Sequence, residues 1–147
     1  GDKRCLRIAV INDDMPFLVD SMAGAIASQG LAIDVLLHPV AKVARDAAGA
    51  VTGLGGEAGA PESLVYIETP RADARQRRAL QALLADTLAD VRAAVADWPA
   101  MQQAMAADAA RLAPDAPEAE ALLGWLNTGM LTQLGHLTLY RDGREDS

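Results

Sequence analysis

The chain is short of the residues from which small proteins build staples, metal centres and aromatic surfaces. A single cysteine, Cys5, in 147 residues excludes an internal disulfide framework and any cysteine-built zinc site. Two histidines, His38 and His136, leave little for a histidine-built metal site. The aromatics are Phe17, Tyr66, Trp98, Trp125 and Tyr140 alone. Cationic residues number 13 against 20 acidic ones, a formal net charge of −7. That balance argues against nucleic acid as a partner, because displacing counterions from phosphates takes a basic face. No apolar run approaches the roughly 20 residues of a membrane span. A secretory apolar segment after Gly1 is also lacking, which with the lone thiol places the expected location in the cytoplasm. Apolar residues still make up 51 %, enough for a folded core. Neither Gly1-Asp-Lys-Arg4 nor the tail after Arg141 reads as a natural end, so the expectation is a piece of a longer protein.

What is present has a clear rhythm. Leu6-Arg-Ile-Ala-Val-Ile11 reads as a strand, and Asn12-Asp13-Asp14 as a polar turn. Met15-Pro16 then opens a helix that Asp13 or Asp14 could cap and that Gly30 ends. Leu31 to Val43 predicts a second strand, with Pro39 marking an edge or bulge. Residues 45–61 lack apolar periodicity and predict a loop, with a hairpin turn at Asp46 to Gly49. Ser63 to Thr69 alternates as a third strand, and Thr69-Pro70 has the form of a helix cap. Leu80, Leu84, Leu88, Val91 and Val95 mark one face of a long helix, punctuated at Asp97-Trp98-Pro99. Further helical stretches carry Met101, Met105 and Leu112, then Leu122 to Leu126. Gly135 to Arg141 alternates as a last strand before an Asp142-Gly143 turn. The order predicts one α+β domain over 1–147, a ferredoxin-like β-α-β-β-α-β sandwich with extra helices inserted at about 98–129 before the last strand. In it Trp98 and Trp125 are expected to anchor the helical insertion.

Few residues carry chemistry. Gly53-Leu-Gly55-Gly-Glu-Ala58 fits a relaxed dinucleotide fingerprint but sits in a loop followed by Pro61 and a strand, so its context fails. Asp13, Asp14 and Asp20 form the densest acidic group. Capping explains the first two, and Asp20 stands nearly two helical turns beyond Asp14, too far to share a metal. His38 is read as a structural strand histidine, and His136 alternates with Leu137 and Leu139 on a strand face turned away from theirs. Cys5 reads as an inert strand residue. A small enzyme built on Asp13, Asp14 and His38 is a formal alternative. An RNA-recognition sheet is excluded by a first strand without aromatics and a third with only Tyr66.

Ile11-Asn-Asp-Asp-Met-Pro-Phe-Leu-Val-Asp-Ser21 resembles the N-terminal region of the large bacterial NAD-specific glutamate dehydrogenases. Leu37-His-Pro-Val40 and Asp90 to Met101 extend the likeness, and Leu134 to Tyr140 looks like a degraded form of that family's aromatic-rich strand. The resemblance implies an ACT-like domain of an enzyme that takes glutamate to 2-oxoglutarate and ammonia with NAD. Its catalytic and NAD-binding domains would lie downstream, so no catalytic residue, cofactor or metal is expected here. Asp14-Met-Pro-Phe-Leu18 looks like the ACT turn Asp-x-Pro-Gly-Leu, with Phe17 in place of the glycine that lets a ligand approach the backbone. Asn12, Asp13, Asp14, Met15, Pro16 and Phe17 are therefore the candidate effector or interface residues. The expected partners are other domains of the same enzyme or a second copy, with an amino-acid effector as the alternative. A role in regulation or assembly is the first expectation.

Overall fold

The computed structural model describes residues 4–112, 114–139 and 143–146, arranged as two units, 1–91 and 92–147. The elements in chain order are β1 (Cys5–Asp13), α1 (Leu18–Ser28), β2 (Val35–Leu37), β3 (Val40–Arg45), β4 (Val51–Leu54), β5 (Ala60–Pro70), α2 (Ala74–Leu112), α3 (Pro117–Trp125), β6 (Thr138–Leu139) and β7 (Glu145–Asp146).

In the first unit β5 is the central strand. It pairs antiparallel with β1 along its whole length, from Cys5 opposite Pro70 to Asp13 opposite Glu62. Its other edge takes β2 at residues 66–68 and β3 at residues 60–63. The predicted second strand is thus one edge path interrupted at His38-Pro39, since proline has no N–H to give the ladder. The stretch predicted as a loop contains β4, hairpinned onto β3. Its turn is built by Asp46, whose Oδ1 accepts from the N–H groups of Ala48 and Ala50, both at 2.9 Å. Residues 51–54 are held by this local turn rather than by a buried face, which is why no apolar period announces them.

Alternation divides the sheet into two faces. Leu6, Ile8 and Val10 of β1 and Val65 and Ile67 of β5 face the helices, where Leu18, Met22, Ala25 and Ile26 of α1 meet Leu80 and Leu84 of α2. Each fully buried side chain of this set contributes about 1.5–3 kcal/mol. Helix α1 ends as the sequence predicts: Gly30 is at φ 71°, with its N–H on Ala27 O and the Leu31 N–H on Ile26 O. Two helices on one face of an antiparallel β1–β5–β2/β3 sheet make the split β-α-β core of the expected α+β, ACT-like ferredoxin-like fold.

Three local expectations are corrected. Thr69-Pro70 does not cap α2; β5 runs through both, and the cap is the reciprocal pair of Asp73 and Gln76. Asp73 Oδ1 accepts from the Gln76 N–H at 2.8 Å while Gln76 Oε1 accepts from the Asp73 N–H at 3.0 Å. Ladder pairing of Thr69 with Leu6 and of Pro70 with Cys5 keeps those residues extended. Pro99 does not divide the helix: α2 continues through it to Leu112, a proline in a helix interior giving up one hydrogen bond without ending the helix when flanking turns hold.

The third correction concerns the second unit. Among the described residues the last strand is short, Thr138–Leu139, and pairs with β7 as a separate two-stranded ladder; Tyr140, Arg141 and Asp142 lie outside the described residues. Within this unit Met101 and Ala109 are buried, and Asn127 Nδ2 donates to Gln102 O at 3.1 Å. Trp98 is half-buried, but Trp125 is 53 % exposed and anchors little, because the nine-residue α3 buries none of its residues. His136 precedes β6 and lies 3.6 Å from Asp108. Among the described residues no helix is long and apolar enough to cross a membrane.

Candidate functional site

The turn between β1 and α1 is held from below by a side chain the sequence reading passed over. Ser63 of β5 is fully buried. Its hydroxyl donates to Asp14 Oδ1 at 2.7 Å and lies 2.8 Å from His38 Nε2. With the serine proton directed to the carboxylate, the His38 ring supplies the proton of the second bond, which fixes Nε2–H. Three distant points of the chain thus meet: the turn after β1, the β2–β3 interruption and the centre of the sheet. The backbone reinforces the junction, with the Asp14 N–H on Pro61 O at 3.1 Å and the Leu64 N–H on Pro39 O at 2.9 Å.

This geometry replaces the capping role expected of Asp13 or Asp14. The residue before α1 is Phe17, and no side chain caps the helix. Met15 and Pro16 carry the chain through a turn that leaves Asp14 three positions too early to reach the first helical N–H groups, so its carboxylate turns to Ser63 instead. Asn12 Nδ2 donates to Asp13 O at 2.9 Å. Asp13 is exposed at the end of β1, and Met15 is half-buried against the core. Asp20 sits exposed in the first turn of α1, where its charge complements the helix dipole.

Phe17 has φ 66° and ψ −2°, the left-handed conformation that glycine adopts freely. For a side chain with a Cβ this conformation costs about 1–2 kcal/mol. The ring is 46 % exposed, so an apolar aromatic stands on a braced turn, partly in solvent. On the sheet face turned away from the helices, Ile11 and Leu37 are also exposed, at 61 % and 56 %.

A second clamp flanks the site. Arg45 grips Glu62 with two bonds, Nε to Oε1 at 2.7 Å and Nη2 to Oε2 at 2.8 Å, and its Nη1 donates to Gly49 O. The Arg45 hydrogen bonds hold the Glu62 carboxyl below the usual carboxylate range, and the same bonds raise the guanidinium. This fork ties the β3–β4 turn to β5 one residue from Ser63. At the opposite end of β5, hydrogen bonds from Tyr66 and then Arg7 likewise lower Glu68.

The chemistry available is that of positioning. Ser63 is sealed from solvent and its proton points to a carboxylate, so its hydroxyl does not face a substrate. Among the described residues no three His, Cys, Asp or Glu side chains gather to hold a metal ion. The glycine fingerprint forms the end of β4 and a tight turn, with the Gly55 N–H on Lys42 O, and feeds no helix. Of the predicted residues, the structure brings Asp14 and His38 together through Ser63. One signal for Ser63 was present in the sequence: it shares the phase of Val65 and Ile67, which puts it on the buried face.

Residues 2–86 match the family described as glutamate dehydrogenase, ACT1 domain. The chain is 36 % identical over 101 residues to the NAD-specific glutamate dehydrogenase of Pseudomonas aeruginosa, a match covering 65 % of this chain and 6 % of that protein. It is 35 % identical over 144 residues to the NAD-specific glutamate dehydrogenase of Halomonas elongata, covering 88 % of this chain and 9 % of that protein. The chain therefore spans only a small part of the length of these relatives.

Proposed function

The chain belongs to the glutamate dehydrogenase ACT1 domain family, and from that premise we propose that it is a non-catalytic regulatory and assembly module. Its parent enzyme would convert glutamate to 2-oxoglutarate and ammonia with NAD bound in other domains. The observation that supports this role is the β1–α1 turn. Asp14, Ser63 and His38 brace it, and Phe17 holds a half-exposed ring on a left-handed backbone. A rigid, strained turn that offers an aromatic to solvent is suited to docking against a neighbouring domain or a second copy.

In the full-length enzyme, Phe17→Ser is expected to weaken assembly while leaving kcat of the assembled enzyme unchanged, measured by sedimentation and steady-state kinetics. Lost kcat with intact assembly would overturn the reading.

A second reading, an amino-acid sensor using Asn12 to Phe17, is favoured by one observation. Phe17 keeps the backbone path that a glycine would take, so the turn retains the form that accepts a ligand. A thermal-shift screen against the amino acids, 2-oxoglutarate and NAD separates the two, because a ligand of the folded state raises Tm by mass action. A flat screen supports docking. A saturable shift with one amino acid, lost on Asp14→Ala or Phe17→Ser, supports the sensor.

A further inference from the structure

The arginines of this acidic chain are not spread evenly. Four of them, Arg4, Arg7, Arg71 and Arg77, line one cleft of about 570 Å³ at the start of β1 and the β5–α2 connection, with Cys5 and Leu6 in its wall. The fold brings them there. The β1–β5 ladder ends at Cys5 opposite Pro70, so Arg4 and Arg71 each stand one residue beyond it in the lining of one cleft, and Arg77 comes from the first turn of α2. Arg7 spends its Nε on Glu68 at 3.1 Å. The guanidinium groups of Arg4, Arg71 and Arg77 have no ion-pair partner among the described residues. Among the described residues lining the cleft there is no carboxylate.

Like charges converge at a cost unless something neutralises them. In a chain of net charge −7, gathering four cations around a cavity whose described lining holds no acidic group is the reverse of what the composition would place there by chance. The lining also sets the ligand's chemistry. An amino acid brings an ammonium group, for which the described lining offers no anionic partner. Three guanidinium groups without an ion pair among the described residues match the three to four negative charges of linked phosphoryl groups, whereas a dicarboxylate leaves cationic charge over. Each planar fork can take a phosphate oxygen pair. The volume lies within the roughly 300–1,000 Å³ of small-molecule sites.

We propose that this cleft is a binding site for a polyphosphate group, free or carried by a nucleotide. It goes beyond the role assigned to the β1–α1 turn and stands or falls independently of it.

The test is calorimetric titration of this chain with inorganic tripolyphosphate at about 0.15 M salt, where exposed long-range charge effects are largely screened. The double variant Arg71→Ala/Arg77→Ala is compared with Arg111→Ala, which removes a cation from the second unit. Saturable 1:1 binding, weakened at least tenfold in the double variant and little changed in Arg111→Ala, is the expected result. Alkylation of Cys5 should slow when tripolyphosphate is bound, a readout local to the cleft. Titration with a nucleoside triphosphate distinguishes the two sources, tighter binding than tripolyphosphate indicating that the nucleoside is also recognised. No binding at millimolar tripolyphosphate would overturn the proposal. Equal weakening by Arg111→Ala, tighter binding of 2-oxoglutarate than of tripolyphosphate, or unchanged Cys5 alkylation would overturn it as well. Far-ultraviolet circular dichroism of each variant shows whether lost binding belongs to the site or to lost folding, and where the double variant is unfolded, Arg77→Gln replaces it under the same criteria.

Discussion

Replacing Ser63 with alanine tests whether the three-way junction holds the β1–α1 turn. The change removes one oxygen from a fully buried position, a hydrogen bond of 2.7 Å to a carboxylate and another of 2.8 Å to an imidazole. Neutral bonds contribute about 0.5–1.5 kcal/mol net and bonds to a charged group about 1.5–3 kcal/mol. Asp14 and His38 both reach the surface and can rehydrate, which places the expected loss near the lower sum, about 2 kcal/mol. For a chain of this size that is a fall in Tm of about 4–8 °C. Urea unfolding should show a lower midpoint at unchanged slope, because the exposed area on unfolding is nearly the same. A double-mutant cycle with Asp14→Ala should give a coupling of at least about 0.5 kcal/mol. Hydrogen exchange gives a local measure: the Leu64 amide, bonded to Pro39 O, should lose protection with the junction. A stability change under about 0.5 kcal/mol, or additive single effects, would refute the reasoning.

Other perturbations have equally definite outcomes. Gly59→Ala would place its Cβ 2.8 Å from Val43 N and 2.9 Å from Lys42 C, backbone atoms that cannot step aside. It should destabilise by about 1–3 kcal/mol in urea titrations, while Gly56→Ala, with open space around it, should stay within about 0.5 kcal/mol. Leu80→Ala empties a position 2 % exposed and should lower stability by about 2–5 kcal/mol, whereas Leu122→Ala, 55 % exposed, should be nearly silent by the same assay. The pH response of Glu62 has a fixed sign. Its folded pKa is held below the unfolded value of about 4.3 by Arg45, so its stabilisation is present above that value and fades as pH falls through the folded pKa. Urea midpoints between pH 7 and 3 should converge for the native chain and Glu62→Gln as pH drops, and a constant gap would contradict the assignment.

Secondary structure was legible where local chemistry and burial agree. The apolar run of β1, the Gly30 stop of α1 and the Leu80–Leu84–Leu88 stripe of α2 each follow a period that one buried face imposes. Element boundaries failed where tertiary pairing overrode a local signal. Thr69-Pro70 looks like a cap, yet opposite Leu6 and Cys5 it is strand, and Pro99 looks like a break, yet the helix passes through it. β4 carries no buried face and was invisible for that reason.

The sequence by itself determined the fold class, the acidic character and the family, because strand and helix periods, charge and the motif from Ile11 to Ser21 are all written along the chain. Only the tertiary structure decided what the motif's residues do. Asp14, His38 and Ser63 are separated by 49 and 25 positions, and no local rule joins a turn aspartate, an edge histidine and a central serine. Their meeting depends on the register of β1 and β3 against β5, which is set by the whole buried face at once. The same register gathers Arg4 and Arg71 at the cleft, a concentration of positive charge that the net charge of −7 conceals.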